Sequence, residues 1–260
     1  MFIQYIKEET RRAFLSKEMI LAVLLSIVLF FIGILETMSW IFSGSTSVLY
    51  AFLQGYNSGT ANFLIIAFPL IVCMPFATSY RIDKLTGFDQ YLLIRLKNKH
   101  YKIIRWFVNG FAGGFALFIG PFIGFIFLFI CKLIFQLPMI KEETETAAFF
   151  NIIGIDSAFL MIMIILLNLF ICGFVFSSLG IGVSTLINNR YVAMLVPFIF
   201  LIISGTILTK LNIYLNALTL YDIHHFGMSI IQKLVYFSIL LGVSGILFFG
   251  GERIKALWES

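Results

Sequence analysis

The sequence predicts an all-α polytopic membrane protein: six transmembrane helices behind an N-terminal interfacial amphipathic helix. Three observations carry that prediction. First, charged residues vanish over long stretches: none lies at 37–80, 106–131, 157–189, 191–209 or 234–251. A charge at the bilayer centre costs roughly 2.5–3.5 kcal/mol on insertion scales, so a lipid solvent empties such stretches, whereas a water-soluble core has no need to. Second, the 260 residues are 60% hydrophobic and only 12% charged, against roughly 25% charged in an average globular chain. Third, the basic residues are lopsided. With both termini in the cytoplasm, only Lys132, Lys141, Lys210 and Lys233 of the 18 Lys and Arg fall on the opposite side, which is the positive-inside bias. Topology thus accounts for the net charge of +5, and no nucleic-acid partner is called for.

Residues 1–18 form the first element. Phe2, Ile3, Ile6, Ala13 and Phe14 share one face at helical spacing, opposite Lys7, Glu8, Arg11 and Arg12, the pattern of a helix lying in the cytoplasmic interface. It is either an anchor that sets topology or a docking element for a partner. A crossing helix needs about 20 apolar residues. Residues 19–35, 61–80, 106–131, 158–187, 191–209 and 234–250 supply six, so that 19–251 is a six-helix domain and 252–260 a cytoplasmic tail. The first run ends at Glu36-Thr37-Met38, which offers no small-residue cleavage site, and it reads as a retained span. Residues 40–60 are uncharged yet interrupted by turn formers at 43–47 and 57–60. They are a loop at the membrane surface or an extension of the flanking helices, with a seventh span the less favoured reading.

The cytoplasmic loop 81–105 is more specific. Asp83 and Gly87 bracket a turn. From there Phe88, Tyr91, Leu92 and the aliphatic stem of Arg95 recur every three to four positions, ahead of a basic run at 97–105. This gives a short helix with an apolar face, which water would contact unless headgroups or a protein cover it. It is therefore an interfacial helix with snorkelling lysines or a contact surface that transmits motion from a soluble subunit. Segment 211–232 mixes Asn212, Asn216, Thr219, Asp222, His224 and His225 with apolar residues. It is too polar to span and too apolar for a free loop, so it rests on the outer headgroups or re-enters the bundle, where irregular backbone must be shielded by protein or a water-filled cavity. Asp222-Ile-His-His225 does not read as a metal site, because adjacent histidines on a helix face apart and no second ligand cluster exists.

Within the spans, small residues pair at four-residue spacing: Gly110 with Gly114, Gly120 with Gly124, Gly173 with Ser177, Ser178 with Gly182, and Ser238 with Gly242. Such pairs let helix backbones approach closely. Pro69, Pro75, Pro121 and Pro197 should kink their helices. Glu36 and Asp156 read as helix ends at the outer surface. Asn168, the main polar residue in mid-span, suits a helix–helix hydrogen bond as well as a substrate contact. Cys73, Cys131 and Cys172 lie inside apolar runs and read as small apolar side chains. A Gly-x-x-x-x-Gly-Lys-Ser/Thr phosphate loop is absent, and so is any Ser-His-Asp set, carboxylate pair or Cys/His array. The chain is not expected to be an enzyme.

Its layout resembles the transmembrane subunits of type-2 ABC exporters. The features in common are an amphipathic N-terminal helix, six spans with both ends inside, and an acidic-then-Gly turn followed by Leu92-Leu93 and a basic stretch. Asp83 and Gly87 match the family's Glu and Gly; the chain has Asp for Glu and lacks the Pro-Ser/Thr-Arg that often follows. The resemblance implies a coupling helix on a separate cytoplasmic ATPase subunit, carried here by Asp83, Gly87, Phe88, Tyr91, Leu92 and Arg95. The N-terminal helix, with Phe2, Ile6, Arg11, Arg12 and Phe14, would pack beside it. It also implies short re-entrant helices between the last two spans that close the exit, making Asn216, Asp222, His224 and His225 the candidate outer gate. This chain would bind no cofactor; ATP and Mg²⁺ would sit in the partner. A second permease subunit, identical or homologous, would complete the pathway in a bacterial plasma membrane. The cargo would be hydrophobic or amphipathic: first an antimicrobial peptide, in export or self-immunity, then drugs or lipids. The rivals are an ion-coupled secondary transporter, which calls for intramembrane ionisable residues and internal repeats, and a non-transport membrane assembly protein or membrane enzyme.

Overall fold

The computed structural model describes residues 2–95, 98–140, 157–187, 189–222 and 229–259. His224, His225 and Asp156 lie outside the described residues, as do the side chains of Phe2 and Arg95. The described chain is helical: α1 Phe2–Phe14, α2 Lys17–Leu35, α3 Met38–Phe42, α4 Val48–Asn57, α5 Phe63–Cys73, α6 Ser79–Thr86, α7 Phe88–Arg95, α8 Asn98–Phe135, α9 Ala158–Ser184, α10 Arg190–Leu211, α11 Leu218–Tyr221 and α12 Ile230–Glu259. Among the described residues, five helices are long and apolar enough to cross a membrane: α2, α8, α9, α10 and α12. Their outward faces carry large apolar side chains such as Leu21, Leu24, Phe129, Leu167, Ile199 and Ile239. The protein is a polytopic all-α membrane protein.

The stretch expected as the second span differs. Helix α5 has 11 residues, about 16 Å at 1.5 Å per residue, roughly half the hydrocarbon thickness. The chain then turns at 74–78, around Pro75, before α6 begins. Pro75 has no amide to donate, and the helix stops just ahead of it; Pro69, Pro121 and Pro197 are held inside α5, α8 and α10.

Residues 40–60 are neither a surface loop nor an extension of their neighbours. Ser47 accepts the Tyr50 amide at 3.1 Å and starts α4, whose Val48, Leu49, Ala51, Phe52, Leu53 and Tyr56 are buried. The helix slots between α2 and α8, with Phe52 against Phe30 (5.4 Å) and Phe125 (6.3 Å). Ser58 ends it in the left-handed conformation, donating to the Leu29 carbonyl at 2.8 Å and accepting the Leu64 amide at 3.2 Å. Glu36 caps α2 and binds the return turn through the Thr60 amide (3.1 Å) and hydroxyl (3.3 Å).

Helices in lipid gain little from apolar contact with each other, so association relies on small residues and hydrogen bonds. Four of the five small-residue pairs do this work. Gly113 and Gly173 bring the α8 and α9 backbones together, and Asn109 and Ser177 trade reciprocal hydrogen bonds to each other's carbonyls, at 2.7 and 3.0 Å. Gly110 and Gly114 receive the rings of Phe174 and Phe170, and Gly120 and Gly124 receive α2 at Ser26 and Phe30. Gly182 meets Ser244 of α12, where Trp106 donates to the Ser244 hydroxyl (2.9 Å) and Ser244 to the Ser178 carbonyl (2.6 Å). At Gly242, in the fifth pair, an added Cβ would meet nothing.

Candidate functional site

Two polar assemblies stand out, one at each end of the bundle. At the basic end, where α1, α6 and the start of α8 meet, Glu9 (1% exposed), Asp83 (2%) and Arg105 (0%) are the most deeply enclosed charges, with Lys102 also buried. A buried charge is tolerated only when paired and hydrogen-bonded, and Glu9, Asp83 and Arg105 each have a partner, although Glu9 Oε2, Arg105 Nη2 and the Tyr5 hydroxyl are buried without a hydrogen bond among the described residues. Arg12 grips Asp83 with both ends of its guanidinium, Nη2 to Oδ1 at 2.9 Å and Nη1 to Oδ2 at 3.2 Å, and also donates to Glu9 at 3.0 Å. Arg105 Nη1 pairs with Asp83 Oδ2 at 2.7 Å, its Nε reaches Ser79 Oγ at 3.3 Å, and it donates to the Tyr101 hydroxyl. The rings of Phe76 (5.4 Å) and Tyr101 (5.3 Å) cover the Arg105 guanidinium. Asp83 is thus the common acceptor of two arginines from two different helices.

Electrostatics follow the geometry. Burial pushes the Asp83 carboxyl up, but the hydrogen bonds from Arg12 and the charge of Arg105 outweigh it, holding Asp83 below the ordinary carboxylate range. The Tyr5 phenol is pushed far above its usual value by burial and by Glu9. Both side chains belong to the stripe Tyr5, Glu9, Ala13 that α1 presents to the bundle, while Ile3 faces out, and Phe14 packs edge-on to Phe115 (5.5 Å). The inward face of α1 is therefore partly polar, one position round from the apolar face read in the sequence, and it is shaped to meet Arg105.

Gly87 closes α6 in the left-handed conformation (φ 70°), the C-terminal stop that favours glycine, and α7 turns away from it. The residues of the expected apolar face divide. Leu92 packs inward on the cluster of Tyr5, Tyr80 and Tyr101, whereas Phe88 is half covered by Arg12, whose guanidinium lies 5.3 Å from the ring centre. Leu85 (67% exposed), Tyr91 (70%) and Ile94 (82%) point away from the protein, so the elbow offers three apolar side chains outward. Beside Arg12 a cavity of about 370 Å³ opens between Ser16, Glu18, Pro75, Phe76, Arg190 and Met194.

At the far end, residues 216–222 fold back into the bundle. Asn216 Oδ1 accepts the Leu218 amide (3.0 Å) to start α11, and Ser204, in a π turn of α10, accepts the Ala217 amide (3.1 Å). Ala217, Leu220 and Tyr221 are fully buried. The last carbonyls of α11 end on side chains of other helices. Asn168 donates to Leu220 and Tyr221 (2.9 Å each), Cys172 to Leu220 (3.1 Å), Tyr56 to Tyr221, and Lys233 to Asp222 (2.5 Å). Tyr221 returns a hydrogen bond to the Tyr56 carbonyl (2.9 Å), with the two rings stacked at 4.8 Å. Asn168 lies ten residues into α9, about 15 Å from that helix's start, which sets the depth of the insertion.

No family model, curated protein or solved structure matches this chain. The site therefore rests on geometry. Of the sequence-derived residues, the structure joins Arg12, Asp83, Gly87 and Phe88 in one assembly, sets Tyr91 and Ile6 outward and Arg11 on the exposed side of α1, and places Asn216 and Asp222 in the far-end insertion. Sequence reasoning missed Glu9, Arg105, Tyr56 and Tyr221. A signal existed for Glu9, which falls in register with Tyr5 and Ala13, and for Arg105, which opens the charge-free run of α8.

Proposed function

We propose that this chain is the transmembrane subunit of an ATP-binding-cassette exporter, driven by a separate ATPase subunit and paired with a second permease subunit. In this reading the basic end faces the cytosol of a bacterial cell and the cargo is hydrophobic or amphipathic. The observation that carries it is the joint at Asp83. One carboxylate fastens the elbow of α6 and α7 to α1 through Arg12 and to α8 through Arg105. The elbow meanwhile offers an outward apolar row that lacks a cover within the described chain. A partner pressing on Leu85, Tyr91 and Ile94 would move the three helices together, because bidentate charge-assisted pairs fix orientation as well as distance. Helix α8 has 38 residues, about 57 Å, long enough to carry that displacement to the far end. ATP and Mg²⁺ would be held by the partner.

The test separates contact from folding. Tyr91→Asp with Ile94→Asp changes only outward side chains, so membrane insertion and thermal stability should stay at the wild-type level. Co-purification of an ATPase subunit from the native host should fall at least tenfold. Leu92→Asp, by contrast, should destabilise the protein, since that side chain packs inward. Undiminished co-purification with the Tyr91/Ile94 double variant, or no ATPase subunit with the wild type, rejects the proposal.

A further inference from the structure

The far-end insertion is held in an unusual way. Donors on three separate elements, Tyr56 of α4, Asn168 and Cys172 of α9, and Lys233 of α12, converge on three consecutive carbonyls, those of Leu220, Tyr221 and Asp222. Each of these four side chains donates to main chain. The pocket around them is aromatic: Tyr221 is stacked on Tyr56, with Phe68 5.2 Å away and Phe176 behind Phe68 at 4.8 Å. Such an arrangement reads a peptide backbone and one flat or apolar side chain, and is indifferent to most of the sequence, as in other modes where main-chain hydrogen bonds supply affinity and a side-chain pocket supplies selectivity. The donors also stand on elements other than the segment they hold, so another peptide presenting its carbonyls in the same way could take its place.

We infer that Tyr56, Asn168, Cys172 and Lys233 form a peptide-binding cradle, which residues 220–222 occupy in the closed state, and that the cargo is a peptide whose backbone carbonyls replace them. The inference rests on the exporter reading for the sense of "cargo", and it narrows that cargo to a chain of amides. The chain's own segment then acts as a built-in competitor. Apparent affinity for an outside ligand falls by the fraction of molecules in which the cradle is free, so loosening the segment tightens cargo binding while weakening the cradle donors abolishes it. A mere helix-end cap predicts no such opposition of signs.

The experiment uses the full chain in phosphatidylcholine nanodiscs without any ATPase. The probe is a fluorescein-labelled, 20-residue amphipathic peptide of Leu and Lys, its binding read by anisotropy in excess of empty nanodiscs. Asn216→Ala removes the side-chain acceptor of the Leu218 amide ahead of α11 but leaves the cradle, and should tighten binding about fivefold. Asn168→Leu, which removes two of the hydrogen bonds at nearly constant volume, should weaken binding at least tenfold. If Asn168→Leu fails to fold, Tyr56→Phe, which keeps the ring, should still weaken it about threefold or more. Lower thermal stability for Asn216→Ala without tighter binding would overturn the inference, as would wild-type binding in Asn168→Leu or in Tyr56→Phe. Displacement of the peptide by an equimolar single-chain phospholipid would also overturn it, in favour of a lipid ligand. Because no ATPase takes part, the cradle can stand if the ATPase association fails, and that association can stand if the cradle fails.

Discussion

Asp83→Ala is expected to destabilise the protein by about 3–5 kcal/mol, the range for removing one partner of a buried ion pair. Arg105 is fully enclosed and would lose its direct counter-charge, while Arg12 would lose two of its hydrogen bonds. Thermal unfolding in detergent should fall on the order of 10 °C for a chain of this size. Replacing the whole pair with apolar residues, Asp83→Leu with Arg105→Met, should recover much of that loss, because burying two charges carries a desolvation penalty that the pair only roughly offsets. If the proposed exporter function holds, the double variant should nevertheless lose ATPase-coupled transport, since the carboxylate that ties α1, α6 and α8 together is gone. An unchanged Tm in Asp83→Ala would show that the network does not hold this end.

The pH dependence has a definite sign. Asp83 is held below its ordinary value in the folded protein, and an unfolded aspartate titrates near roughly 3.9. The folded state therefore binds fewer protons, and its added stability is fully present above that unfolded value and is lost as pH falls through the folded one. Tm should lose this contribution only below about pH 4. Asp83→Asn, which cannot titrate, should show a shallower acid limb.

The second large effect is at Gly33. A Cβ there would collide with main chain on three sides: the Gln54 carbonyl, the Gly59 nitrogen (2.6 Å) and the Ser58 Cα (2.8 Å). A flexible side chain could move away, but these backbone atoms are fixed by the Ser58 and Glu36 hydrogen bonds. Gly33→Ala should cost at least the upper end of the roughly 1–3 kcal/mol seen for overpacking, and Gly33→Leu should expel the 48–60 segment. Gly242→Ala is the matched control: its added carbon meets nothing, so the change should be neutral or stabilising by up to about 1 kcal/mol. Unfolding curves of the three variants in one detergent check the contrast. Tolerance of Gly33→Leu would mean that α4 is not packed against α2.

Much of this architecture was legible in the chain because lipid imposes a coarse rule. The gaps in charge locate α2, α8, α9, α10 and α12, and Gly87 marks the end of α6, since its left-handed backbone is one that residues with a Cβ rarely adopt. The small-residue pairs pointed to close helix contacts, and the structure uses four of the five. What was not legible is any element whose reason for existing lies elsewhere in the chain. Helix α4 looks like a polar-spotted loop until Phe30, Phe125 and the Pro138 and Met139 carbonyls, which receive the Val48 and Leu49 amides, are seen around it. Leu92 and Tyr91 share an apolar face by periodicity, yet one turns in and the other out, because Tyr80 and Tyr101 cover only one side of α7.

By itself, then, the sequence determined the solvent: which segments can lie in hydrocarbon and which end is basic, both consequences of the properties of single residues. Only the tertiary structure decided which distant groups meet. Arg12, Asp83 and Arg105 are separated by up to 93 positions, Tyr56 and Tyr221 by 165, and no periodicity spans such distances. Their meeting follows from the cost of leaving a buried charge or a helix-end carbonyl without a partner in a medium that offers no water to supply one.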